Sequence, residues 1–308
     1  MERVFDLTNL TKSEINAEKI MRRIHIHNQD FGGVVCIITG SPGTGKTAAM
    51  LAIIEYTLRY HPKEKVFFSN CYDAPLQFTK LKPYQWRILV RKDSNVTFHD
   101  RDKRGKQIHP EVEYFKLKQN ENKLFDFSDL YKKAKRGKCN VVFFGGKEKR
   151  YMWLDFVRFL RRSGEWSHVF IDEISECCPE FSSGRLWQKI RQFSVDVKEL
   201  RKCQINLVSN TQSISDIDHR VRKKLMVHFW LPGSITGKPS RITQKAIDAL
   251  KEDPYRGNEC FIEESGKFGK LVFKDIFKPN PIYHWDARCE EVDMFEFEAE
   301  RRREQRRK

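Results

Sequence analysis

Two short stretches of this chain hold residue types whose order and spacing can do chemistry. The first is Gly40-Ser41-Pro42-Gly43-Thr44-Gly45-Lys46-Thr47, a match to G-x-x-x-x-G-K-[ST]. Glycines there leave backbone N–H groups uncovered, so the turn can face a polyphosphate while the helix behind it adds its positive dipole end. Lys46 is then placed to reach the β/γ-phosphates, and the Thr47 hydroxyl to ligate Mg²⁺. The second is Asp172-Glu173, which closes the apolar run Val169-Phe170-Ile171. A carboxylate at a strand end completes a magnesium shell, the task expected of Asp172. Glu173 is expected to orient or deprotonate an attacking water. The competing readings are a glycine turn that binds nothing and a strand that ends in two solvated acids. The two stretches together favour ATP and Mg²⁺ as ligands and phosphoanhydride hydrolysis as the chemistry.

A third polar group follows another strand-like run, Ile205-Asn206-Leu207-Val208-Ser209, continued by Asn210-Thr211-Gln212. Gln212 stands where ligands bind in such sheets and is the candidate sensor of the γ-phosphate. Arg201, just before this run, is a cation placed to enter a neighbouring subunit's site. Its competitor is Lys202, which also reads as a solvated cation at a helix end.

These residues need a scaffold, and the apolar pattern supplies one. Val34-Val35-Cys36-Ile37-Ile38 predicts the strand that delivers the glycine turn, and Ala48 to Arg59 the helix that leaves it. Lys65 to Asn70 and Asn140 to Phe144 predict further core strands. Met152, Phe156, Phe159 and Leu160 share one face of a helix over 149–162; Leu186, Ile190, Phe193, Val197 and Leu200 share a face of another. Strand alternating with helix predicts an α/β fold with a mainly parallel central sheet covered by helices. Residues 72–138 depart from that alternation and are expected to be a middle insertion, with strand-like pieces at 95–98 and 113–115 and a polar loop at 100–109. Residues 1–30 are expected to form an N-terminal helical segment, 31–290 the main domain, and 291–308 a charged tail. A C-terminal hairpin is expected to turn through Ser265-Gly266-Lys267.

The formal charge of +16 over 308 residues implies attraction to a polyanion, either nucleic acid or an acidic membrane surface. Basic residues crowd 132–138, Arg158 with Arg161 and Arg162, 220–224, and the tail from Arg301. No apolar run is long enough to span a bilayer, which points to a soluble chain in the cytoplasm. The eight cysteines include no C-x-x-C pair, so a metal-cysteine site is not expected, and Cys36, Cys139, Cys203 and Cys260 read as small buried hydrophobes. Cys177 and Cys178 are expected to be reduced.

The series Gly40 to Thr47, Ile171-Asp172-Glu173 and Arg201 through Gln212 resembles the HerA/FtsK superfamily of ring-shaped DNA-pumping ATPases. Ile217-Asp218-His219-Arg220-Val221-Arg222 extends the likeness to the zonula occludens toxin-like branch, which includes filamentous-phage assembly ATPases and relatives in archaeal viruses and plasmids. The resemblance implies a RecA-like P-loop NTPase fold and a homo-oligomer, a hexameric ring. It also implies Arg201 as a finger acting in trans, Gln212 as phosphate sensor and double-stranded DNA as the load, with genome packaging by a virus or transfer by a mobile element as the setting. A virion-assembly or secretion motor, with a capsid or membrane-associated protein partner, is the alternative load. A nucleotide switch that does not hydrolyse is a third reading. The chain departs from the family in its long insertion, in lacking the membrane span of phage assembly ATPases and in lacking the HerA N-terminal barrel.

Overall fold

The structure is a computed structural model that describes residues 32–69, 76–77, 86–100, 112–119, 125–145, 149–234, 247–248, 250, 258–264, 267–273 and 284–290. The expected N-terminal helix, the loop 101–109 and the tail 291–308 lie outside these residues.

The strands run β1 (Val35–Thr39), β2 (Lys65–Ser69), β3 (Leu76–Gln77), β4 (Trp86–Arg91), β5 (Asn95–Asp100), β6 (Val112–Phe115), β7 (Lys118–Gln119) and β8 (Phe125–Asp126). They continue as β9 (Cys139–Phe143), β10 (Ser167–Ile171), β11 (Ile205–Thr211), β12 (Val227–Trp230), β13 (Asn258–Glu264), β14 (Lys267–Phe273) and β15 (His284–Glu290). The helices are α1 (Lys46–Tyr60), α2 (Ser128–Lys133), α3 (Lys149–Arg161), α4 (Ile174–Cys177), α5 (Gly184–Glu199) and α6 (His219–Arg222).

Ten strands form one sheet in the order β14-β13-β12-β1-β11-β10-β2-β9-β4-β6. From β12 to β6 every neighbouring pair is parallel, and only β13 and β14 at one edge pair antiparallel. A sheet of parallel strands is covered on both faces, which is why β1, β2, β9, β10 and β11 are buried at every position. Val34, Cys36 and Ile38 pack with α1; Val35 and Ile37 face the side where α3, α4 and α5 lie. Helix α1 is favoured by its alanines and leucines and stops at His61, just before Pro62.

The segment expected to be an insertion supplies β4 and β6, which extend the parallel sheet beyond β9 rather than standing apart from it. Aromatic side chains hold it there. Phe115 meets Phe144 edge-on, and Phe127 packs on Phe156, whose ring meets Phe67 at 4.9 Å. The expected hairpin is present as β13–β14, with Glu264 paired to Lys267. Strand β15, not expected from the sequence, pairs with β5 and β3 in a second, antiparallel sheet.

Part of the basic charge is consumed inside the fold. Arg158 and Arg161 of α3, read from sequence as part of a polyanion-binding cluster, both contact the fully buried Asp196 of α5, at 2.9 and 3.0 Å. Lys189 of α5 reaches Asp155 of α3 in the same way. Removing Asp196 would leave two guanidinium groups part-buried and uncompensated. Asp196→Ala should therefore lower the unfolding free energy by about 2–4 kcal/mol in urea titrations; an unchanged midpoint would show that the α3–α5 contact does not depend on these pairs.

Candidate functional site

The glycine turn runs from the end of β1 into α1. Gly43 and Gly45 adopt φ of 81° and 90°, the left-handed region that a side chain disfavours, and Gly45 stands at the N-cap of α1. Gly40 is required for a different reason: a Cβ there would lie 2.5 Å from Thr44 Oγ1 and 2.9 Å from Leu231 Cβ. The turn is closed by Thr44 Oγ1 donating to Ser41 O at 2.8 Å. It is buttressed from the end of β12, where Gly233 O accepts from Ser41 Oγ at 2.8 Å and Ser234 Oγ donates to Thr39 O at 2.7 Å. Pro42 and Gly43 are exposed at the tip. Lys46 Nζ bridges the turn, donating to Gly40 O at 2.9 Å and Ser41 O at 3.0 Å. Burial pulls its ammonium below the ordinary lysine value, while the carboxylates of Glu173 and Asp172 act in the opposite sense.

Asp172 and Glu173 follow β10, so they stand at the same edge of the sheet as the turn. Desolvation raises the Asp172 carboxyl above its ordinary value; hydrogen bonds from Asn210 and Thr47 and the charge of Lys46 resist that shift. Lys46, Thr47 and Asp172, proposed from sequence as one site, are therefore brought together. A hydroxyl and a carboxylate that already share a hydrogen bond are a hard-oxygen donor set of the type Mg²⁺ takes, so the residues fit that ion. Glu173 adopts φ 52° and ψ 67°, a left-handed conformation that costs a non-glycine residue ~1–2 kcal/mol. Its Oε1 accepts from Ser175 Oγ at 2.8 Å and from Gln212 N at 3.3 Å. Gln212 itself is exposed beyond the end of β11, with its backbone N–H on the Glu173 carboxylate.

Asn210 was not singled out from the sequence. It is almost fully buried, and its side chain contacts both acids of the pair. A polar residue in the otherwise apolar β11, between Val208 and the turn, was the available signal.

Arg201 is not part of this constellation. Its backbone lies in the 3₁₀ turn Leu200–Cys203, before β11, whereas the turn and acidic pair lie at the far ends of the parallel strands β1 and β10. At ~3.3 Å per residue, the seven residues of β11 separate it from its own chain's site by roughly 20 Å.

One strand, β11, lies between the strand that carries the glycine turn and the strand that carries the acidic pair, and it ends in polar residues that bond the acidic pair. This is a RecA-like P-loop NTPase fold. No family model matches the sequence, and no curated protein matches it. Among solved structures, the P-loop fold here is similar to the N-terminal domain of zonular occludens toxin from Neisseria meningitidis, at 15% identity and a TM-score of 0.38 over 85% of this chain and 95% of that one. It is also similar to the genome packaging NTPase B204 from Sulfolobus turreted icosahedral virus 2, at 12% identity and a TM-score of 0.48 over 79% of this chain and 98% of that one. The ATPase domain of G40P matches at 14% identity and a TM-score of 0.43 over 84% of each chain. At that degree of overlap the likenesses add nothing to what the turn and the strand order already show.

A second polar cluster lies at the opposite edge of the sheet, where His61, Glu64 and His168 bring ligand-type atoms within 4.8 Å of one another. Val34 N donates to Asn206 Oδ1 at 2.9 Å, which turns Asn206 Nδ2 toward His168 Nδ1 at 3.1 Å. His168 Nδ1 must then accept, so the ring proton sits on Nε2 and points at Glu64 Oε2, 2.6 Å away. A metal on Nε2 would have to displace that proton. The cluster is a hydrogen-bonded chain that ties the start of β1 to the loop after α1. Of the cysteines, Cys36, Cys139, Cys177, Cys178 and Cys260 are buried free thiols, and Cys203 is partly exposed.

Because Lys46 Nζ spans the turn, Lys46→Ala should weaken Mg-ATP binding by at least about tenfold, the value of a single charge-assisted contact. Its melting temperature should stay near wild type, since the part-buried ammonium bonds two carbonyls of the turn and no distant element. Calorimetric titration beside a thermal melt checks both, and wild-type affinity would refute the phosphate-binding role.

Proposed function

We propose that this chain is an ATP-hydrolysing motor subunit that works in a homo-oligomeric ring and moves double-stranded DNA. The observation that supports hydrolysis most directly is the meeting of Lys46, Thr47, Asp172 and Glu173 at one sheet edge, with the glycine turn between them and solvent. Backbone N–H groups of residues 40–47 and the dipole of α1 would hold the phosphates, and Lys46 would exchange its carbonyl partners for phosphate oxygens. Thr47 and Asp172 would hold Mg²⁺, which when bound screens the charge of the phosphates. Glu173, held beside Gln212, would orient the attacking water and take its proton, and Gln212 would report the state of the γ-phosphate.

Arg201 stands too far from its own chain's turn to act there. If it stabilises the transferring phosphoryl group, it does so in a neighbour, and this supports the ring. The net charge favours DNA phosphates, bound without sequence reading. The pairing of Arg158 and Arg161 with Asp196, of Arg220 with Asp218 and of Arg136 with Glu165 favours the alternative, an assembly or secretion motor acting on protein partners.

Glu173→Gln should bind Mg-ATP as wild type does and hydrolyse it about 10²–10⁴-fold more slowly, in a phosphate-release assay with a parallel binding titration. On the DNA reading, affinity for duplex DNA falls steeply with salt and varies little with sequence, and duplex stimulates turnover; no binding at low salt moves the load to protein. Arg201→Ala should bind ATP but lose about 10³–10⁵ in rate, and mixing it with Lys46→Ala subunits should restore part of the activity. A mixture that stays inactive despite co-assembly would end the shared-site reading.

A further inference from the structure

Asp172 and Glu173 are adjacent in sequence, yet the hydrolase reading needs both carboxyl groups on the same side of the sheet edge. In an extended strand, successive side chains point to opposite faces. Glu173 escapes that alternation through its left-handed backbone, and such a backbone persists only where its surroundings hold it.

Asn210 is what holds it. Its Oδ1 accepts from Glu173 N at 2.6 Å, and its Nδ2 donates to Asp172 Oδ1 at 2.5 Å. The orientation of the amide admits no alternative: a backbone N–H can only donate and a carboxylate only accept, so each amide atom has one possible partner. Asn210 is 1% exposed, so its end of both bonds is shielded from bulk water. Asn210 also pairs in register with Ile38 of β1, two residues before the glycine turn begins. One side chain thus fixes the metal-side carboxylate, the backbone of the water-side glutamate and their distance from the phosphate turn.

We propose that Asn210 is a positioning residue for ATP hydrolysis, an amide clamp that sets Asp172 and Glu173 in catalytic register with each other and with the strand that carries the phosphate-binding turn. The proposal rests on the hydrolase reading above. Both polar atoms of the Asn210 amide are engaged by the acidic pair, so its loss is expected in kcat and in the use of Mg²⁺ rather than in nucleotide affinity.

The test uses the full chain and four proteins: wild type, Lys46→Ala, Asn210→Ala and the nearly isosteric Asn210→Asp. Asn210→Ala removes both bonds; Asn210→Asp keeps the acceptor for Glu173 N and replaces the donor to Asp172 with a second carboxylate. Steady-state hydrolysis is measured against Mg-ATP and, at fixed ATP, against Mg²⁺. Both Asn210 variants should lose about 10–100-fold in kcat, the usual effect of losing a partner that orients a ligand. KM for Mg-ATP should stay within about threefold, and half-maximal rate should need more Mg²⁺. A residue that only supported the fold would lower the melting temperature without that split. Wild-type kcat and Mg²⁺ dependence in Asn210→Asp would overturn the clamp, whether or not Asn210→Ala folds; so would a loss confined to KM. A wild-type chain without turnover, or Lys46→Ala as active as wild type, would defeat the hydrolase reading and the clamp with it.

Discussion

A strand buried on both faces can present chemistry only at its ends, and this constraint orders the rest of the molecule. β1, β10 and β11 run side by side in one direction with no exposed residue among them. Their carboxyl ends therefore collect at one edge, and whatever follows them meets there. The glycine turn follows β1, the acidic pair follows β10, and Asn210 to Gln212 close β11. Residues more than a hundred positions apart become neighbours because the backbone hydrogen bonds leave the strands nowhere else to end.

The same packing explains the division of charge. Helices α3 and α5 cover one face of the sheet and meet each other along a seam where Asp155 and Asp196 are buried. A carboxylate so placed needs a cation, and Lys189, Arg158 and Arg161 supply it. Net charge counted along the chain consequently overstates what a polyanion meets at the surface. Arg220 is similar, forked onto Asp218 and resting on the Trp187 ring.

The sequence was most informative where local structure decides the outcome. The glycine turn, the acidic pair and the amphipathic faces of α3 and α5 are set by spacing within a few residues, and each stands where it was expected. β5 and β6 were legible as strand-like pieces and β4 was not, and the place of β6 in the central sheet stayed hidden because it is fixed by Phe115 and Phe127 meeting aromatic rings from distant elements. Strand β11 was read to Ser209 and continues to Thr211, since Asn210 and Thr211 are polar by composition yet buried by the contacts they make. The pairing of arginines with Asp196 was invisible for the same reason: it needs two helices already docked. Buried asparagines inside apolar runs, at 140, 206 and 210, were the one overlooked signal, and each makes hydrogen bonds that join separate strands or loops.

Strand β15 has a bearing on how the chain comes to be folded. It joins β5, from the first third of the sequence, to form the centre of the β3-β15-β5 sheet. During synthesis the edge of β5 must wait for residues 284–290 to emerge, and contacts closed over such a span form slowly. An unpaired strand edge is a template for another chain. Until residues 284–290 are made, the phosphate-binding turn can be closed while the edge of β5 stays open, so the small sheet and the site need not form together.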